Sequence, residues 1–275
     1  MTEQTEVAVI GSGMAGLTVA CLLAKQHIPV RVLEQNWLPG GCSSSYPRKH
    51  YIFESGATTL VGLDPGMPLH HLLQETGISL AARKLEVPMK VYLKNGAVLT
   101  RHQNLDAWIA EAERVFGPEG QRPFWEYCSR ISQFVWDTSL QQRAFPPSSA
   151  GDLFHAALHF RPRQIGFAAL AFRSVKDLLA DFGLLQNRDF VEFVDEQLLI
   201  TAQNHHAEVN VLFGATALCY TQSGNYYMPG GLINLVQPLV NYISDQGGSV
   251  ELRRGVTRIE ETEGGYLLHS QKHTL

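Results

Sequence analysis

Three glycines, one acid and a second glycine pair have the spacing in this sequence that could do chemistry. "GSGMAG", residues 11 to 16, lies between the apolar run Glu6 to Ile10 and the apolar-rich "LTVACLLAK". Glu34 stands at the end of "VRVLEQ", with Gln35 beside it. In such a pattern Gly11 permits a tight turn, Gly13 lets backbone approach a pyrophosphate, and Gly16 lets helix and strand pack closely. Free N–H groups from Ser12 through Met14 and Ala15, with the partial positive charge of a helix start, would face the phosphates. A ribose hydroxyl donating to Glu34 is worth roughly 1.5–3 kcal/mol. The carboxylate favours a free 2′-hydroxyl, because a 2′-phosphate would be repelled.

These residues need particular elements to hold them. "EVAVI" reads as a short buried parallel strand, "LTVACLLAK" as a helix packed on a sheet, "QHIP" as a turn and "VRVLEQ" as a second strand. The alternative is a glycine-rich turn without a ligand. It is disfavoured because strand, helix, second strand and terminal acid all stand in the expected order.

The next stretch departs from a plain nicotinamide-binding unit. "NWLPGG" leads to Gly40 and Gly41, where missing side chains let backbone meet a second face of an extended ligand. Cys42 and Ser43 open a small polar run to Ser45. "HYIFESGATTL" then brings an aromatic strand to Gly56, Ala57, Thr58 and Thr59, whose small side chains leave room for a broad planar ring.

At these residues the sequence resembles the flavin-dependent phytoene desaturase, carotenoid cis–trans isomerase and retinol saturase family. The likeness lies in glutamate, a spacer, "PGG", small polar residues and then "F-E-x-G". It implies that Gly40 and Gly41 lie along FAD and that Gly56 to Thr59 come near its isoalloxazine. The backbone of Val256 would lie beside the adenine. Many desaturases carry arginine where this chain has Cys42, so "GGCSSS" leans towards the isomerase and saturase branch. Cys42 is expected to be a small packing residue near the flavin, since no motif supports a redox thiol.

The organisation expected is a cofactor domain in two segments, 1–75 and 211–275, around an inserted, mainly helical substrate region, 76–210. Inside the insert, "MKVYLKNGAVLTR" reads as a hairpin turning at Asn95–Gly96, and Asn104 as the cap of a helix ending at Gly117. The segment Ser149 to Leu179 mixes phenylalanines with Arg161, Arg163 and Arg173. It reads either as core helices with solvated arginines or as a peripheral membrane contact where a greasy substrate enters. His205 and His206 are adjacent and do not share a face, so a structural or surface role is expected and no metal site. The resemblance also matches Gly230 and Gly231, opening a helix from Leu232 to Tyr242.

Bulk properties exclude several classes. The 275 residues carry 22 basic and 26 acidic side chains, so there is no general attraction to nucleic acid. Four scattered cysteines form no CxxC pair and no disulfide framework. A secretory signal and a spanning apolar stretch are both missing from the pattern, which gives an expectation of a cytoplasmic protein with at most peripheral membrane contact. The fold class expected is α/β, with a Rossmann-like FAD-binding domain, a parallel sheet and a βαβ start, incomplete at the C-terminus. A full relative is expected to continue, so this chain reads as an N-terminal half, with a separate C-terminal half as a candidate partner. Alone, it is expected to bind FAD weakly and not to turn over.

The function implied is an FAD-dependent oxidoreductase acting on a long apolar polyene by desaturation, saturation or redox-assisted isomerisation. No nucleophile–base pair stands out, so no catalytic side chain is named. The alternatives are a flavin amine oxidase, a Rab-escort-like binding protein and an inactive remnant.

Overall fold

The computed structural model describes residues 4–141, 149–152, 154, 167 and 169–272. Its contacts divide the chain into two units, 1–85 with 225–275, and 86–224.

The first unit is built on the expected βαβ. Strand β1 (Val7–Ile10) pairs in parallel with β2 (Val30–Leu33), and β2 pairs in parallel with β9 (Ser249–Glu251), giving the order β1-β2-β9. Helix α1 (Met14–Lys25) connects the first two strands, and α8 (Ile233–Asp245) leads into β9. Leu17, Ala20, Cys21 and Ala24 of α1 pack with Val30 and Val32 of β2 and with Val236, Leu239 and Ile243 of α8. Each large aliphatic side chain buried there contributes about 1.5–3 kcal/mol. A salt bridge from Arg31 to Glu251 ties β2 to β9.

Smaller elements decorate this frame. Strands β3 (Ser45–Arg48) and β4 (Tyr51–Glu54) form an antiparallel hairpin. Helix α2 (Pro68–Thr76) starts on a proline, whose missing N–H costs nothing in a first turn, and stops at Gly77 with φ +70°. Strands β10 (Arg254–Thr262) and β11 (Gly265–Lys272) form a long antiparallel ribbon.

The second unit is mainly helical with one strand pair. Strands β6 (Met89–Tyr92) and β7 (Val98–Arg101) turn through Asn95–Gly96, as expected, with Gly96 at φ +84°. Helix α3 (Leu105–Phe116) is capped by the Asn104 side chain, which accepts from Ala107 N–H at 2.9 Å. It is followed by α4 (Gln121–Gln141), α5 (Val175–Asp181), α6 (Arg188–Thr201) and α7 (Val211–Leu218) among the described residues. The core is aromatic: Trp108 meets Trp125 edge-on at 4.9 Å, and Phe116, Phe124, Phe190 and Phe193 fill the space around them.

The divisions read from the sequence at 75/76 and 210/211 both lie further towards the C-terminus in the structure, at 85/86 and 224/225. The two-residue strand β5 (Arg83–Lys84) pairs with β8 (Tyr226–Tyr227), which keeps residues 76–85 with the first unit. Helix α7 buries Val211, Ala215 and Leu218 in the aromatic core of the second unit. The returning helix also shifts, running Ile233–Asp245 where the sequence suggested Leu232 to Tyr242. Residues 153, 155–166 and 168 of the Ser149–Leu179 segment, Arg161 and Arg163 among them, lie outside the described residues. Among the described residues no helix is long and apolar enough to cross a membrane.

Candidate functional site

The chain turns at Gly11, φ +94°, directly after β1, while Gly11 N–H still donates to the Leu33 carbonyl at 2.8 Å. Gly13 precedes α1 in extended backbone, and no side chain caps the first turn. The N–H groups of Met14, Ala15 and Gly16 therefore open the helix without a side-chain partner. A Cβ on Gly16 would lie 2.2 Å from the Gly11 carbonyl oxygen and 3.2 Å from Val9 Cγ1. Only glycine lets the helix begin this close to the strand. At Gly11 and Gly13 nothing lies within 4 Å of a built Cβ, so open space adjoins the bare backbone.

Glu34 closes the loop from behind. Only 4% exposed, it accepts Ser12 N–H at 2.8 Å and the Ser12 hydroxyl at 2.7 Å on Oε2, and Asn36 N–H at 2.8 Å on Oε1. Burial pushes its pKa up, but hydrogen bonds from Asn36 and Ser12 outweigh that and hold the carboxyl below its ordinary value. Gln35 beside it is exposed.

The second glycine pair meets the first. Gly40 N–H donates to the Ser12 carbonyl at 2.9 Å, and Gly13 and Gly40 form a parallel bridge. Both members of the pair are left-handed, at φ +106° for Gly40 and +57° for Gly41. A Cβ on Gly41 would sit 3.4 Å from Gly13 Cα, whereas one on Gly40 would strike Val236 Cγ2 at 2.7 Å. Gly40 thus answers to protein packing, where the sequence suggested only approach to a ligand.

Residues 42–44 and 55–57 run side by side. Ala57 N–H donates to the Cys42 carbonyl at 3.0 Å and Ser55 N–H to the Ser44 carbonyl at 2.9 Å. Gly56 lies so close to Cys42 that a Cβ would be 3.2 Å from the Cys42 Cβ. Cys42, Gly56, Ala57 and Thr58 are exposed, and Ser43 is half-buried. On the far side of Glu34, its N–H donates to the Glu251 carbonyl and its carbonyl accepts Arg254 N–H, which places half-buried Val256 a short way along β10.

Some functional positions were not singled out from the sequence. The Ser44 hydroxyl is buried with no protein partner, the sort of atom that a bound ligand or water would satisfy. Asn36 contributes a backbone donor, for which a sequence carries no signal. Glu54, seen only as a letter of "F-E-x-G", accepts Leu232 N–H at 3.1 Å, and Ser45 Oγ accepts Ile233 N–H at 3.0 Å. Together they cap the start of α8. His206 Nδ1 and N–H both meet Asp195, at 2.8 and 2.7 Å, a clamp between a loop and α6. No metal-binding group of His, Cys, Asp and Glu forms among the described residues.

Comparison with known proteins agrees with this geometry. Residues 9–76 match the model of an NAD(P)-binding Rossmann-like domain. The chain is 26% identical to prolycopene isomerase of Arabidopsis thaliana, over 92% of this chain and 43% of that protein. It is 27% identical to all-trans-retinol 13,14-reductase of Danio rerio, over 94% and 42%, and 27% identical to lycopene-forming phytoene desaturase of Pantoea ananas, over 92% and 50%. These relatives are of the kinds that the sequence resembles, a carotenoid isomerase, a retinol reductase and a phytoene desaturase. This chain spans about half the length of these curated relatives. Among solved structures, cyclohexylamine oxidase of Brevibacterium oxydans shares the fold, with a TM-score of 0.61 at 20% identity over 99% of this chain and 56% of that one.

Proposed function

We propose that the first unit binds FAD and that the chain serves a flavin-dependent oxidoreductase acting on a long apolar polyene. The observation that carries this reading is the meeting of the two glycine segments, Gly13 against Gly40 and Gly41, at the uncapped mouth of α1. A short dinucleotide loop would need only the first segment. The second extends the bare backbone towards 42–44 and 55–57, as an extended flavin nucleotide requires.

On this reading the N–H groups of Met14, Ala15 and Gly16 receive the diphosphate, and Ser12 and Gly13 keep side-chain atoms out of its way. Glu34 accepts a ribose hydroxyl. The Val256 backbone borders the adenine, and exposed Gly56, Ala57 and Thr58 leave a flat surface for the ring system. The Ser44 hydroxyl finds a polar partner there. When bound, the flavin supplies hydride acceptance or donation. The chain supplies orientation, and residues 86–224 with their aromatic core supply the substrate region. Relatives named for prolycopene, retinol and phytoene support a polyene substrate.

Titration of the purified chain with FAD, followed by quenching of flavin fluorescence, tests the reading. Saturable binding is expected, abolished in Gly13→Val, whose side chain fills the open space. Binding of NAD in preference to FAD, or FAD binding unaffected by Gly13→Val, would overturn it.

A further inference from the structure

The β3–β4 hairpin carries a surface that the cofactor site does not use. Its register sets Tyr46 opposite Phe53 and Arg48 opposite Tyr51, so these four side chains share one face. The other face carries Ser45, Pro47, Ile52 and Glu54; Ser45 and Glu54 tie its inner end down, while Ile52 nearer the tip stays 54% exposed. Ser45 and Glu54 cap α8, and a Cβ on Gly231 would meet Ser45 Oγ at 2.7 Å and Ile52 Cγ2 at 3.0 Å. With that end anchored, the aromatic face is held outward. Tyr51 is 69% exposed and Phe53 43%, and the Tyr46 ring stacks on Phe53 at 5.8 Å.

The tip adds charge of one sign. Arg48, Lys49 and His50 are consecutive and exposed, and Lys49 takes the left-handed turn conformation at φ +57°. Among the described residues no carboxylate pairs with Arg48 or Lys49, and Glu54 is engaged at the anchored end. Two unpaired cations and a histidine on the end of an exposed aromatic ladder stand out in a chain whose net charge is −4.

We propose that the outward face and tip of this hairpin form a contact surface for anionic phospholipid bilayers. Tyr and Phe rings suit the interfacial layer, while Arg48 and Lys49 reach anionic headgroups on their aliphatic stems. Single-stranded nucleic acid is the competing partner for aromatics mixed with cations. It fits less well: the Tyr46 and Phe53 rings are stacked on one another at 21°, which occupies ring faces that bases would need. Cations at one tip also do not track a phosphate backbone. The proposal stands on the hairpin alone and does not rest on the cofactor reading.

Flotation of the whole chain with phosphatidylcholine vesicles, with and without phosphatidylserine, tests it. Binding is expected only with the anionic lipid and should weaken as salt is raised. At about fivefold per cation, Arg48→Gln with Lys49→Gln should lower the partition coefficient roughly twenty-five-fold at low salt. Tyr51→Ser with Phe53→Ser should weaken it too, whereas Tyr92→Ser, removing a 77% exposed ring in the other unit, should not. As a probe that keeps an aromatic in place, Tyr51→Trp should show blue-shifted emission and quenching by brominated lipid. Flotation on neither vesicle, equal flotation on both, or hairpin variants matching the parent would overturn the proposal. Retention of a single-stranded oligonucleotide through Arg48 and Lys49, without vesicle binding, would overturn it in favour of nucleic acid.

Discussion

Glu34→Gln separates a carboxylate that merely awaits a ligand from one that builds the loop. In the parent, Glu34 accepts three donors, and two of them, Ser12 N–H and Asn36 N–H, are backbone groups that cannot turn away. A glutamine offers one oxygen and one NH2. With its oxygen towards Ser12, the NH2 faces Asn36 N–H; reversed, it faces Ser12 N–H. Either way one backbone donor in a site only 4% exposed loses its acceptor, costing about 1–3 kcal/mol. The surviving bonds lose their charged acceptor, roughly another 1 kcal/mol each. The expected loss is therefore about 3 kcal/mol at neutral pH, read from urea unfolding. The pH dependence has a definite sign. The folded-state pKa of Glu34 is lowered, so its contribution is complete above the ordinary carboxylate value and is lost as pH falls through the lowered one. The parent should thus lose stability in acid more steeply than Glu34→Gln. A variant within about 0.5 kcal/mol of the parent at neutral pH, with the same acid slope, would refute the view that this carboxylate organises the glycine loop.

Three other perturbations have defined outcomes. Gly16→Ala should destabilise by about 1–3 kcal/mol in thermal melts despite alanine's higher helix propensity, because its Cβ meets the Gly11 carbonyl; a neutral result would mean that the helix can slide. Arg101 is fully buried, its guanidinium 4.1 Å from the Trp108 ring centre, with Nη2 donating to the Leu218 carbonyl and Thr221 while Nε and Nη1 lack partners. Arg101→Met should therefore cost clearly less than Arg101→Ala, which leaves a cavity worth about 3–5 kcal/mol, and equal urea midpoints would contradict this. Glu111 accepts from Arg114 and from Thr100 N–H, which bring its pKa down to about 2 against the ordinary 4.5. Its contribution is present above 4.5 and lost as pH falls towards 2, so Glu111→Gln should flatten the acid limb of unfolding; an unchanged limb would refute the assignment.

What the sequence made legible was local. The βαβ start, the Asn95–Gly96 turn and the Asn104 cap each rest on residues within a few positions of one another, and each is found in place. Partners distant along the chain were not legible. Glu54 caps a helix whose first turn begins at Ile233, and nothing near either position signals the other. Helix α7 reads "VLFGATAL", apolar nearly all round, so its pattern names no face and cannot show which unit it joins. Strand β5 is two charged residues without alternation, and pairing with Tyr226 and Tyr227 alone makes it a strand. Arg101 ends a hairpin strand, and nothing beside it in the sequence signals that it sits at the centre of the aromatic core.

The same contrast explains why the glycine loop was readable and its rigidity was not. Glycine spacing announces where backbone must come close, but not what holds the loop when no ligand is there. The structure answers with Ser12. Its N–H and hydroxyl are held by Glu34, and its carbonyl takes Gly40 N–H, so one residue joins the first glycine segment to the acid and to the second pair. A loop fixed in this way loses little freedom when a ligand arrives, and affinity rises by the ordering cost that is avoided. Ser12→Ala keeps the backbone bonds and removes only the hydroxyl, so it should loosen the loop without emptying the site. The expected signature is faster hydrogen exchange at Gly40 together with a several-fold weaker FAD affinity. If exchange at Gly40 stayed as slow as in the parent while affinity fell, the hydroxyl would be acting on the ligand directly and the loop would owe its order to the glycines alone.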